Sequence, residues 1–271
     1  MAGPHARTIE VGGATVALHV LGTGPPLLLL HGSGPGTTAW AAWEPLCEAL
    51  AGRFSLVAPD QAGFGATPVP AGRDARRSLW TEQALAVMDA LGHERYAVAG
   101  HSMGGAVALS LAAARPHAVR SVVGIGSMGA AMALPEGLDR LWAARPSRDG
   151  AREVLGLIAA DPVPDAAVDA RREAMRAQGG EAYAALFPPP RERWVADLAL
   201  GEDERDAVTA LVLLVHGARD RIVPLRDGAL PLVEQLGNAH LYVLGDCGHS
   251  PHAQRPEIVH RLIGDFLEID A

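Results

Sequence analysis

The chain of 271 residues is 49% hydrophobic and 20% charged and carries a formal net charge of -8, a balance that supplies a large buried core and leaves little for extended disorder. That acidic surplus argues against a nucleic-acid partner or an anionic membrane surface, both of which call for clustered Lys and Arg. The two cysteines, Cys47 and Cys247, provide neither a disulfide framework nor the spacing of a metal site.

Met1 to Glu10 lacks the apolar centre of a signal peptide, and no run approaches the ~18 apolar residues of a membrane helix. The expectation is a cytoplasmic protein without a membrane anchor. Arg7 to Val11 and Thr15 to Leu21 flank Gly12-Gly13 and predict an opening hairpin. Leu27 to Leu30 is a continuous apolar run, expected as a strand buried in a parallel sheet. It leads into His31-Gly32-Ser33-Gly34-Pro35-Gly36, a loop whose backbone N–H groups either receive a developing oxyanion or simply turn the chain toward a helix. His31 itself reads as a brace for that loop. Ala39 to Leu50 predicts a helix, Phe54 to Ala58 a strand closed by Asp60-Gln61-Ala62-Gly63-Phe64-Gly65, and Ser78 to Leu91 a second helix.

Tyr96 to Ala99 is the next short strand, and Gly105 to Ala114 a helix of small residues. Between them, Gly100-His101-Ser102-Met103-Gly104 has the strand, sharp turn and helix that a nucleophile elbow requires. Such a turn strains its central residue and tolerates only glycine at its flanks, so Ser102 is expected to stand exposed with its hydroxyl free. Val119 to Gly126, Leu211 to His216 and His240 to Leu244 predict three more strands, and Pro256 to Leu267 a final helix with proline at its start. Strands alternating with helices imply an α/β class, a mostly parallel sheet with helices on both faces. From Met128 to about Asp206 no apolar strand occurs; helical stretches such as Asp165 to Gln178 alternate with proline clusters such as Pro188-Pro189-Pro190. The predicted organisation is one core, residues 1–128 and 207–271, with a helical cap inserted at 129–206 over the carboxyl edge of the sheet.

A serine hydroxyl needs a base, and the base needs a third group to hold its tautomer. Asp220 follows the strand ending at His216, and His249 follows the strand ending at Leu244. The chain order Ser102, Asp220, His249 is the one associated with this type of elbow. Asp246 is the rival acid, but it lies too near His249 in sequence to orient the ring easily. His101 adjoins the oxyanion region with either a structural or a substrate-contacting role. Trp40, Trp43, Trp142 and Trp194 read as core or pocket wall.

With these residues placed, the chain resembles the α/β-hydrolase superfamily through the loop His31 to Gly36, the elbow, Asp220 and Gly248-His249. Within it, the chain is similar to the meta-cleavage product hydrolases, through that loop followed by Thr38-Ala39-Trp40, through Gly63-Phe64-Gly65, and through Phe187 to Trp194 in the cap. Two positions beside the reacting group differ from that family's usual residues: His101 replaces asparagine and Ser250 replaces tryptophan. The resemblance implies a cofactor-free hydrolase, with no metal, cleaving a carbon-carbon bond in a 2-hydroxy-6-oxo-dienoate or related ketone. Backbone N–H groups of Ser33 and Met103 would form the oxyanion hole. Arg171 would grip the acidic end of the substrate, its other reading being a solvated helix face paired with Glu173 or Asp169. Gly32, Gly34, His101, Trp194 and Ser250 are further candidates for substrate contact. A carboxylesterase or lactonase with the same triad, and a non-catalytic small-molecule receptor on the same fold, are the alternatives. The expected partner is a small molecule, and a homo-oligomer is left open.

Overall fold

A computed structural model describes residues 6–269. Residues 1–5, the start of the Met1 to Glu10 stretch, and residues 270–271 lie outside the described residues. The chain opens with β1 (Ala6–Val11) and β2 (Ala14–Leu21), which pair antiparallel across Gly12-Gly13. There follow β3 (Pro26–Leu30), α1 (Ala39–Leu50), β4 (Ser55–Pro59), α2 (Arg77–Ala90), β5 (Tyr96–His101), α3 (Met103–Ala114) and β6 (Val119–Ile125). Between β6 and the next strand lie only helices: α4 (Glu136–Ala143), α5 (Arg148–Ile158), α6 (Asp165–Gln178), α7 (Gly180–Ala184), α8 (Glu192–Leu198) and α9 (Glu202–Ala207). The chain then closes through β7 (Leu211–Gly217), α10 (Ala229–Gln235), β8 (Ala239–Leu244), α11 (Pro251–Gln254) and α12 (Pro256–Ile269).

The sheet has eight strands in the order β1-β2-β4-β3-β5-β6-β7-β8, parallel from β4 onward. Side chains alternate between faces along a strand, and β3 shows both faces filled. Leu28 and Leu30 pack toward α2 and α3 with Val98, Trp80 and Val107. Leu27 and Leu29 pack toward α1 and α12 with Trp43, Leu46 and Ile263. This is why the strand reads as an unbroken apolar run: a parallel sheet covered on both sides leaves no polar face. Helix α1 starts at Thr38, whose hydroxyl accepts the N–H of Ala41 at 3.1 Å, satisfying one of the donors a helix start leaves open.

The inserted helices are tied to the core by a partly buried polar knot. Arg77, at the start of α2, donates from its backbone to Asp197 of α8 at 2.8 Å and from its side chain to Ser110 of α3 at 2.7 Å and Glu204 of α9 at 2.6 Å. A planar guanidinium suits this task because its donors diverge in fixed directions. Among the described residues no helix is long and apolar enough to cross a membrane.

Candidate active site

Loops that leave the carboxyl ends of β3, β5, β7 and β8 converge on one crevice, the position open α/β sheets reserve for ligands. Ser102 follows β5 with φ 55° and ψ -118°, the one non-glycine residue at positive φ among the described residues. A β-carbon at Gly104 would strike the carbonyl of Leu30, and one at Gly100 the carbonyl of Gly104. Gly100 thus lets the strained turn close on the start of α3, and Gly104 lets α3 press against the end of β3. The Ser102 side chain makes no cap bond to its own helix. Ser102 is only 2% exposed, however. The expectation of an exposed serine is therefore corrected: the turn lifts it off the sheet, but the inserted helices close over it.

Beneath them lies a partly open cavity of about 330 Å³. Gly32, Ser33, Gly34, His101, Ser102, Arg171, His249 and Ser250 all line it, and Leu141, Leu155, Ile158, Val163 and Ala167 supply an apolar wall from the helical insertion. His249 Nδ1 donates to Asp220 Oδ2 at 2.8 Å, while Asp220 Oδ1 accepts the backbone N–H groups of Ile222 at 2.8 Å and Val223 at 2.9 Å. Burial alone would raise the Asp220 carboxyl, but the facing His249 and then the His216 donor hold it well below the usual carboxylate range. Asp246 is engaged elsewhere, accepting from Arg255 Nε at 2.9 Å. The imidazole is further located by its backbone, since the His249 N–H donates to Ile158 O at 2.8 Å.

His101 places Nε2 3.1 Å from the His249 carbonyl and 3.3 Å from Ser250 Oγ. Because a carbonyl only accepts, Nε2 carries the proton. Burial, and then the adjacent His249 and His252 rings, lower His101 well below the usual imidazole range. His252, also on the cavity wall, is lowered to about 3 by burial and then by His260 and His249. The loop His31 to Gly36 is braced as anticipated: His31 Nδ1 lies 2.8 Å from Gly32 O, and its Nε2 accepts the N–H of Gln61 at 3.0 Å.

These buried neutral histidines predict acid sensitivity. An unfolded histidine binds a proton below about pH 6.5 that folded His252 does not bind until about pH 3. Stability is therefore full above pH 6.5 and falls as the pH drops through that window, by about 2 kcal/mol at pH 5 for His252 alone. His101 acts in the same sense, and Asp220, being lowered, contributes its change only at more acidic pH. Denaturant midpoints at pH 7 and pH 5 check this, with the midpoint at pH 5 expected to be clearly lower.

Ser33 is held from above by the insertion. Its hydroxyl accepts the indole N–H of Trp142 at 2.9 Å and its carbonyl accepts the Tyr183 hydroxyl at 2.8 Å. Met103 is the first residue of α3, so its N–H has no acceptor within the helix. Arg171 borders the cavity and donates to Pro35 O at 3.2 Å. Asp169 and Glu173 pair instead with Arg148, Arg172 and Arg176, and among the described residues no carboxylate pairs with Arg171. Trp194 is the exception among the candidates. It does not line the Ser102 cavity; its indole N–H donates to Pro188 O at 2.8 Å, the guanidinium groups of Arg76 and Arg193 lie over its ring, and it borders a separate surface cleft. Phe187 from the same stretch turns inward and stacks on Trp142 at 4.5 Å. Tyr183, His216 and His252 were not legible as site residues, and only His216, beginning the loop to Asp220, carried a local signal; Trp142 was expected only as core or pocket wall.

The sequence model of the alpha/beta hydrolase fold matches residues 25–256. The chain belongs to that family. Among relatives in the α/β-hydrolase fold family, the 2-hydroxymuconate semialdehyde hydrolase of Pseudomonas sp. (strain CF600) is 40% identical over 269 residues, covering 98% of this chain and 95% of the relative. The 2-hydroxy-6-oxo-2,4-heptadienoate hydrolase of Pseudomonas putida F1 is 37% identical over 264 residues, covering 96% and 95%. The meta-cleavage product hydrolase from Pseudomonas fluorescens IP01, solved with bound acetates, superposes with a TM-score of 0.94 at 32% identity over 98% of each chain.

Proposed function

We propose that the protein is a cofactor-free hydrolase of meta-cleavage products, breaking the carbon-carbon bond beside the ketone of a 2-hydroxy-6-oxo-dienoate. The observation that carries this reading is the presence, in one cavity, of Ser102 and His249 with Arg171, a guanidinium that pairs with no carboxylate among the described residues. A dienoate offers both halves of the complement: a ketone for the nucleophile and a carboxylate for the cation. The names of the relatives at 40% and 37% identity point the same way, and so does the modest volume of about 330 Å³, which suits a small substituent on the ketone.

In this mechanism Arg171 fixes the carboxylate, and ketonisation at C2 creates an electron sink. His249, oriented by Asp220, removes the proton of Ser102 or of a water that adds to the C6 ketone. The N–H groups of Ser33 and Met103 receive the oxyanion. Breakage of the carbon-carbon bond then leaves its electron pair in the sink; where Ser102 has added, the acyl-serine is hydrolysed by a water that His249 activates, and where water has added directly, the carboxylic acid leaves at once. Residues 129–206 serve as a cap that shields the site from bulk solvent while leaving room for the reacting water, and the free, buried thiols of Cys47 and Cys247 suit a reducing cytoplasm. A dienoate bearing hydrogen or methyl at C6 is expected to lose its absorbance rapidly with release of one equivalent of formate or acetate; absence of turnover across such a series would overturn the proposal.

The clamp on Ser33 gives a second expectation. Tyr183→Phe removes one buried hydrogen bond from the loop that presents the oxyanion donor, which is worth about 1 kcal/mol, or roughly fivefold. The loss should fall on kcat with KM little changed, as steady-state kinetics on one dienoate would show.

A further inference from the structure

Asp220 serves two imidazoles, and only one of them belongs to the reacting group. His216, at the carboxyl end of β7, is fully buried, and its Nε2 lies 2.8 Å from Val223 O and 3.2 Å from Asp220 Oδ2. That is the same carboxylate oxygen that His249 Nδ1 reaches at 2.8 Å. The Val223 carbonyl can only accept, so Nε2 carries the proton and its N–H is shared between Val223 and Asp220. His216 Nδ1 is buried and has no hydrogen-bond partner, which leaves the shared N–H as the side chain's one polar engagement. The ring therefore does two things at once: it fastens the Gly217 to Val223 loop back onto β7, and it takes part of the lone-pair density of Oδ2 away from His249.

We infer that His216 is a positioning residue that sets the basicity of His249 through the shared carboxylate oxygen, and so fixes the pH above which the site is active. This rests on the reading of His249 as the general base. Removing the His216 donor leaves Asp220 more basic toward His249, stabilises the imidazolium, and moves the acidic limb of activity to higher pH. The other titratable groups facing His249 are His101, from the end of β5, and His252, from α11. Both are lowered by burial, so they remain uncharged through the range in which His249 acts and do not produce the limb.

The test compares His216→Leu, which fills the space without a donor, with His216→Gln, whose side-chain amide N–H reaches the position of Nε2. The readout is the pH dependence of Ser102 labelling by a fluorophosphonate, which reports the base without requiring any particular substrate. His216→Leu is expected to move the acidic limb upward by about 0.5 to 1 pH unit, slowing labelling three- to tenfold on the limb, while His216→Gln stays close to the parent. Equal losses in both variants with an unmoved limb would overturn the inference and leave a packing role alone. In the unaltered protein, nitrogen-15 NMR of the histidines should show His216 protonated on Nε2 and not on Nδ1 throughout the active range; the opposite tautomer would overturn it without any variant. If labelling behaves as expected but no dienoate is consumed, the substrate proposal fails and the role of His216 stands.

Discussion

Ser102→Ala is expected to reduce turnover of a dienoate by roughly four orders of magnitude or more, while the variant still binds the substrate. The hydroxyl stands on the strained elbow and lines the same cavity as the Asp220-held imidazole. Removing its oxygen takes away no packing that the cavity needs, because Ser102 makes no cap bond and the turn is imposed by Gly100 and Gly104. The fold should survive, and binding should too, since Arg171 and the apolar wall are untouched. Rapid mixing of the variant with the coloured dienoate should therefore show a spectral change on binding followed by persistence of the chromophore. Turnover within tenfold of the parent would mean that the nucleophile is not this serine and that His249 activates water directly.

Arg171→Gln is the second large effect, and it separates the carbon-carbon bond reading from an ester hydrolase on the same fold. A charge-assisted grip on a carboxylate by a largely buried guanidinium is worth about 3 kcal/mol, or roughly a hundredfold in kcat/KM. That loss is expected for dienoates only. A neutral p-nitrophenyl ester has no carboxylate to hold, so its turnover should stay within about twofold of the parent. The control also covers the structural duty of Arg171, the hydrogen bond to Pro35 O: a distorted glycine loop would slow both substrates alike.

The strands and the elbow were legible because their physics is local. Leu27 to Leu30 must be buried on both faces, and Gly100 and Gly104 flank a turn that excludes side chains. Boundaries moved by a residue or two where pairing carried a strand onward, as β5 does through His101 opposite Ile125. The convergence of Ser102, Asp220 and His249 was expected because each follows the carboxyl end of a strand; Asp220 meets His249, and Ser102 lines the same cavity as that ring. What the helical insertion contributes was not legible. Ser102 is buried by residues as distant as Leu141 and Arg171, and Tyr183 meets Ser33 across 150 positions of chain. Trp194 shows the same limit from the other side: it lies in the stretch that carries the resemblance, yet the α8 helix turns it toward Arg76 and Arg193 while Phe187 faces inward. His216 escaped notice because its role depends on two distances to one oxygen atom.

A nucleophile, an oriented base and a carboxylate-holding cation in one cavity should favour a dienoate over a neutral ester, and one purified sample decides between them. Steady-state kcat/KM would be measured side by side for a C6-methyl 2-hydroxy-6-oxo-dienoate and for p-nitrophenyl acetate. The dienoate is expected to be preferred by at least a hundredfold, as the grip of Arg171 on the carboxylate requires; ester turnover equal to or above dienoate turnover would contradict the claim.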